Sequence, residues 1–129
     1  MAAKRFKVST IEEIDAKKLL INSKETVRSN NKAANMLKAY LREVEQSESF
    51  EEFTCEQLNE VLSHFYLDAR RENGEMYKAN SLESIRHSIN RYLKSPPYNK
   101  TFDLIKDDEF REANTAFRAA LAELKRERE

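Results

Sequence analysis

Apolar residues recur at helical spacing in four stretches of this chain, each bounded by residues that start or stop helices. From about Thr26 to Glu45, Ala33, Ala34, Leu37, Tyr40, Leu41 and Val44 fall at i, i+1, i+4, i+7, i+8 and i+11, one side of a helix. Thr54 and Gln57 have the spacing of a capping box, in which each side chain bonds the other residue's backbone N–H. Leu58, Val61, Leu62, Phe65 and Ala69 carry the stripe on to about Glu72, and Phe50 and Phe53 anchor the polar loop Ser47–Glu52 ahead of it. Asn80 or Ser81 is placed to cap a third helix through Leu82, Ile85, Ile89 and Tyr92 or Leu93. Ser95-Pro96-Pro97 stops that helix, because proline has no N–H for the ladder and clashes with the preceding turn. After a linker from Tyr98 to Lys106, Asp107 or Asp108 opens a last helix with Phe110, Ala113, Phe117, Leu121 and Leu124 inward, running to the end of the chain.

A thinner stripe, Ile14, Lys18 and Ile21, follows the capping-box spacing of Ser9-Thr10-Ile11-Glu12 and predicts a short helix to about Ser23. Asn73-Gly74 is a hairpin signal elsewhere, but its flanks here are helical and charged, so a left-handed cap closing the second long helix is expected. The pattern predicts an all-α fold: a compact bundle of four core helices plus a short N-terminal helix. A chain of 129 residues fits one domain, with residues 1–25 as an extension and 26–127 as the bundle. Nothing repeats at a fixed period, which excludes a solenoid.

Composition narrows the chemistry. One glycine in the whole chain rules out phosphate-binding loops, which need glycines so that backbone N–H groups reach the phosphates. Cys55 is alone, so neither an intrachain disulfide nor a cysteine-based metal site can form, and a reducing compartment, cytosol or nucleus, is expected. At a helix start its thiolate would be modestly favoured. His64 and His87 lie on different helices without paired-ligand spacing, so no metal and no cofactor are expected. The carboxylate pairs Glu12-Glu13, Glu51-Glu52 and Asp107-Asp108 sit at helix starts, where the macrodipole favours negative charge, rather than converging in a cleft as acid–base catalysis requires. The chain is therefore read as non-enzymatic, with no catalytic residues. No apolar run approaches a membrane span, and no membrane partner is expected.

Formal net charge is zero, but the charge is unevenly distributed. Residues 1–24 and 73–106 each carry three more bases than acids, whereas residues 47–72 carry five more acids than bases. On the third long helix, the side opposite Leu82, Ile85 and Ile89 presents Asn80, Ser84, His87, Arg91 and Lys94 at i, i+4, i+7, i+11 and i+14, with donors and no carboxylate. Arg70, Arg71 and Lys78 precede it across the turn. Such a face suits a DNA groove: arginine and lysine neutralise phosphates, while asparagine, serine and histidine bond base edges or sugar-phosphate oxygens. A solvated helix face is also polar for no further reason, and Asn80 has the alternative duty of a cap.

The order and spacing of Leu58-Asn59-Glu60, Phe65-Tyr66, Arg70 or Arg71, Gly74, Tyr77, Ser81-Leu82, Ile85-Arg86, Ile89, Arg91, Leu93, Asp108, Phe110, Ala113, Phe117 and Leu124-Lys125 resemble the region preceding the catalytic domain of Crypton-type tyrosine recombinases. That region persists in domesticated animal proteins of the MYM-type zinc-finger and glutamine-rich kinds. The resemblance covers about half the chain well, and Thr26–Val44 more loosely. It implies a SAM-like core-binding domain over the bundle, a nuclear location, double-stranded DNA as partner, and a downstream catalytic domain with which it clamps the duplex. It adds the face led by Lys32 to that of Ser84, His87 and Arg91. The family's catalytic set, an arginine pair, a histidine or lysine, a His-x-x-Arg motif and a nucleophilic tyrosine, lies in that downstream domain and maps onto nothing here. The chain ends at Leu124-Lys125-Arg126-Glu127-Arg128-Glu129, about where the linker to such a domain begins, so an excised domain is expected.

The expectation is a DNA-binding domain supporting recombination or integration. Lys32, Arg70, Arg71, Lys78, Arg91 and Lys94 would neutralise phosphates, with Asn80, Ser84 and His87 nearest the bases. About five engaged phosphates would give a salt slope of roughly −4.5. The rival expectation is a protein-interaction domain of a nuclear regulator, meeting a basic partner through Glu51, Glu52, Glu56 and Glu60.

Overall fold

The capping box read at Thr54 is complete. Thr54 Oγ1 accepts from the Gln57 N–H at 3.1 Å, and Gln57 Oε1 accepts from the Thr54 N–H at 2.9 Å, which satisfies two of the donors a helix start leaves open. In the computed structural model, which describes residues 10–14 and 24–126, this box starts the second of four long helices. They are α1 (Lys24–Glu43), α2 (Cys55–Asp68), α3 (Ala79–Lys94) and α4 (Arg111–Arg126), with 3₁₀ turns at Phe50–Glu52 and Asp108–Phe110. No strand occurs among the described residues. The fold is all-α around one core, and no described helix is long and apolar enough to cross a membrane.

The helices pack as two pairs. α1 and α3 run in opposite senses: Asn30 meets Arg91 towards one end, and Met36 meets Tyr77, just ahead of α3, towards the other. α2 and α4 run in the same sense: Asn59 Oδ1 accepts from the Ala113 N–H at 3.0 Å near their starts, and the Tyr66 and Phe117 rings lie 5.2 Å apart further on. The predicted stripes supply the interior except at Val44, which follows the end of α1 and is exposed. Leu37 and Leu41 of α1, Leu58, Leu62 and Phe65 of α2, Ile89 and Leu93 of α3 and Phe117 of α4 are at most 1% exposed, each burial contributing about 1.5–3 kcal/mol.

Element ends differ from the sequence reading in several places: the first long helix runs two residues earlier at each end, and the last begins at Arg111, after a 3₁₀ turn at the expected Asp108 start. Helix α2 stops at Asp68, not Glu72, because the charged run that follows has no apolar side to bury; Arg70 Nη1 instead donates to the Leu67 and Ala69 carbonyls, closing the helix end. Asn73-Gly74 therefore caps no helix. The Gly74 N–H donates to the Arg71 carbonyl and the Arg71 N–H to the Glu75 carbonyl, both at 2.8 Å, with Gly74 at φ 85°, a tight chain reversal of the hairpin kind without strands. α3 begins two or three residues earlier than expected: Lys78, not Asn80 or Ser81, is the N-cap, without a side-chain bond, and Ala79 is buried, so core packing overrides capping. Near the amino terminus the Thr10 hydroxyl accepts from the Glu13 N–H at 3.1 Å, and Ser9, the predicted cap, lies outside the described residues. The remainder of that predicted helix, to Ser23, and the last three residues of the chain lie outside the described residues.

The linker Tyr98–Lys106 is held by polar groups that the periodic pattern does not reveal. Buried Asn90 accepts from the Leu104 N–H at 3.0 Å, and buried Asn114 donates to the Leu104 and Ile105 carbonyls at 3.0 and 3.2 Å. Leu104 itself is fully buried. Asn114 Oδ1 also accepts from Arg86 Nη1 at 2.9 Å. Asn114→Ala leaves one buried and one half-buried carbonyl and a guanidinium short of partners, and is expected to cost about 3 kcal/mol in urea unfolding with an unchanged m-value. A loss below about 0.5 kcal/mol would show that the linker is secured by other contacts.

Candidate nucleic-acid interface

Helix α3 turns the predicted polar stripe outward. Its exposed residues are Asn80, Ser81, Ser84, His87, Arg91 and Lys94, and Leu82, Ile85, Ile89 and Leu93 are buried. Because the helix starts at Ala79, the Asn80 side chain has no capping duty. The side chains of Asn80, Ser84 and His87 make no hydrogen bond to another described residue, which leaves their donors and acceptors facing solvent. Glu83 is half-buried at the edge of the stripe, as its helical angle requires.

Helix α1 adds to this surface. A groove of about 320 Å³ runs between α1 and α3, and its polar lining is Ser29, Lys32, Asn80, Ser81, Ser84 and Ser88, with no carboxylate. Lys32 and Met36 also border a larger cleft of about 1020 Å³ on the other side of α1, which reaches Arg70 and Arg71. The structure thus brings Lys32, Asn80 and Ser84 together, and connects Arg70 and Arg71 to them across α1. The larger cleft is electrostatically balanced, however, because Glu43, Asp68 and Glu72 line it beside the two arginines.

The predicted cations are not equally available. Lys32 and Lys78 are exposed and make no ion pair among the described residues. Arg91 is exposed and held by neutral groups: Nε donates to Asn30 Oδ1 at 3.1 Å and Nη2 to Ser88 Oγ at 3.0 Å. Arg70 is engaged with the α2 carbonyls, and Arg71 lies 3.9 Å from Glu75, a pair weakened by exposure. Lys94 is paired with Asp103, a linker carboxylate 16% exposed, so its charge is largely cancelled and its place among the free phosphate-binding groups falls.

Two further expectations change. Glu51 is buried: Lys38 Nζ lies 3.0 Å from Oε1, and the Tyr92 hydroxyl donates to the same oxygen at 2.7 Å. Burial alone would raise its pKa, but the Tyr92 and Lys38 hydrogen bonds hold it below the ordinary glutamate value. Glu51 thus serves the fold, and the acidic surface of residues 47–72 is left to groups such as Glu52, Glu56 and Glu60, all exposed. Cys55, first residue of α2, goes opposite to the helix-start expectation: burial, with the Glu109 carboxylate beside it, pushes the thiol up to about 11, so it stays protonated.

Ser29 on this surface, and Asn30 and Ser88 buried beneath it, were not expected there. Asn30 was legible in principle, since it falls three residues before Ala33 on the apolar side of α1, and a polar residue in that position needs a partner. In comparisons with protein-family models, curated proteins and solved structures, none matches this chain.

The Lys94–Asp103 pair makes stability depend on acid pH. Burial works against ionising Asp103, yet Lys94 and the Ile105 and Lys106 amides hold its carboxyl at about 2, against an ordinary value of 3.8. A depressed folded-state pKa stabilises fully above the unfolded value, and the contribution disappears as pH falls through the folded one. Urea unfolding measured from pH 6 to pH 2 should show stability declining below about pH 4, and Asp103→Asn should flatten that part of the decline. Parallel curves for the two proteins would assign the acid loss to other carboxylates.

Proposed function

We propose that this chain is a non-catalytic DNA-binding module of the SAM-like core-binding type, acting beside the catalytic domain of a Crypton-like tyrosine recombinase or within a nuclear regulator descended from one. The observation that carries the reading is the outward, carboxylate-free stripe of α3 joined to the Lys32 groove of α1. The stripe is about the length of a four-turn helix, a shape the major groove admits. Lys32, Lys78 and Arg91 neutralise phosphates, and Asn80, Ser84 and His87 lie nearest the bases. Arg70 and Arg71 contribute weakly, because carboxylates share their cleft and carbonyls occupy Arg70; Lys94 is compensated by Asp103. Burial of Glu51 in the fold narrows the acidic surface and with it the rival reading of an acidic platform for a basic protein.

Three available cations in place of five engaged phosphates lower the expected salt dependence. Fluorescence anisotropy with a labelled duplex should give a slope of log affinity against log salt of roughly −2.7, for about three phosphates. Lys32→Glu combined with Arg91→Glu should weaken binding by about tenfold or more at low salt, and Glu52→Lys with Glu56→Lys should strengthen it slightly or leave it unchanged. No retention of duplex by the wild-type chain at low salt, or full retention by the double Lys32/Arg91 variant, would overturn the assignment.

A further inference from the structure

Arg91 differs from three other cations of α1 and α3 in how its charge is left. Lys38, Lys94 and Arg42 each meet a carboxylate, Glu51, Asp103 and Glu48 respectively. Arg91 meets a carboxamide and a hydroxyl, both neutral, so its full positive charge remains for something outside the chain. Both partners are buried at 5% exposure, although the arginine they hold is exposed. Asn30 comes from α1 and Ser88 from one turn earlier on α3, so the guanidinium is fixed by two elements that the core already holds in place.

The atoms used matter as much as the partners. Asn30 and Ser88 take the Nε and Nη2 edge of the guanidinium, its side-on fork. Five N–H donors lie in one plane on arginine, so both donors of Nη1 and the second donor of Nη2 remain for an acceptor that offers two oxygens. A long side chain held in this way has already lost the rotamer freedom that an unrestrained arginine gives up on binding.

We infer that Asn30 and Ser88 are positioning residues that preset Arg91 as a bidentate receptor for a phosphate group, and that the phosphate belongs to the DNA backbone; the second half rests on the function proposed above. The acceptor is a tetrahedral oxyanion offering two oxygens to the terminal edge of the guanidinium, a match lysine cannot reproduce. Holding by neutral groups is essential to this role. A carboxylate at position 30 would orient Arg91 equally well and cancel the charge it presents.

That distinction gives the test. Asn30→Ala should weaken duplex binding about threefold to tenfold while leaving the salt slope unchanged, because no charge is lost. Arg91→Ala should reduce the magnitude of the slope by about one, and adding Asn30→Ala to it should change affinity no further. Asn30→Asp should melt no lower than wild type yet bind worse than Asn30→Ala, which a purely structural asparagine would not do. Additive losses in the double variant, or Asn30→Asp binding as well as wild type, would refute the positioning role. Following the Arg91 Nε–H resonance during titration with inorganic phosphate, and separately with duplex, distinguishes the two claims. A shift with phosphate but not duplex keeps the receptor and removes its DNA ligand. Duplex binding without a shift removes the receptor and keeps the DNA reading, and no shift and no binding removes both.

Discussion

The Arg86 guanidinium carbon lies 3.7 Å from the centroid of the Phe117 ring, and that contact joins α3 of one helix pair to α4 of the other. Phe117 meets Tyr66 edge-on at 5.2 Å, Tyr66 lies 6.1 Å from Phe65, and Phe65 meets Tyr40 at 5.4 Å, so a continuous line of rings leads from α4 through α2 to α1, with α3 attached by Arg86. Burying a guanidinium is costly, and burial pulls its pKa below the ordinary arginine value. The ring face and the Asn114 carboxamide offset part of that cost, although Arg86 Nε and the Tyr66 hydroxyl are buried with no hydrogen-bond partner among the described residues. The outward stripe of α3 depends on this arrangement, because fixing Arg86 and Leu82 inward leaves Ser84, His87 and Arg91 facing away.

Much of this architecture was legible in the sequence. Leu37, Leu41, Leu62, Phe65, Ile89 and Phe117 are buried because a 3.6-residue period puts them on one side of their helices, and the Thr54 box and the Pro96-Pro97 stop act locally enough to be read from neighbours. The outward set on α3 followed from the same angular argument. The misplaced ends have a common cause, that tertiary packing decided them: Ala79 entered the core ahead of Asn80, and Arg70 turned back on the end of α2. Polar groups buried by partners far along the chain, Asn90 with Leu104 and Glu51 with Lys38, carry no local signal, and for the same reason the loss of Lys94 to Asp103 could not be foreseen.

A chain of zero net charge can still present a one-signed surface, since the acids and bases are distributed differently between interior contacts and solvent. Glu51 and Asp103 are drawn into pairs that also remove Lys38 and Lys94, whereas the α1/α3 groove is left with lysine, asparagine and serine. Under the proposed function, three available cations give a modest grip in isolation. A neighbouring domain on the same polypeptide would raise the effective concentration of the duplex and make that grip sufficient.

The segment between α3 and α4 has almost no regular structure, yet it is fastened at Leu104 and Ile105 by carboxamides from both helices. Connections of this kind are ordinarily where a protein accepts insertions and deletions. Here the contour length is fixed by the separation of Asn90 and Asn114. One residue more or fewer would carry the Leu104 side chain out of its seat and break all three carboxamide hydrogen bonds together, which places this irregular stretch among the parts of the molecule least free to vary in length.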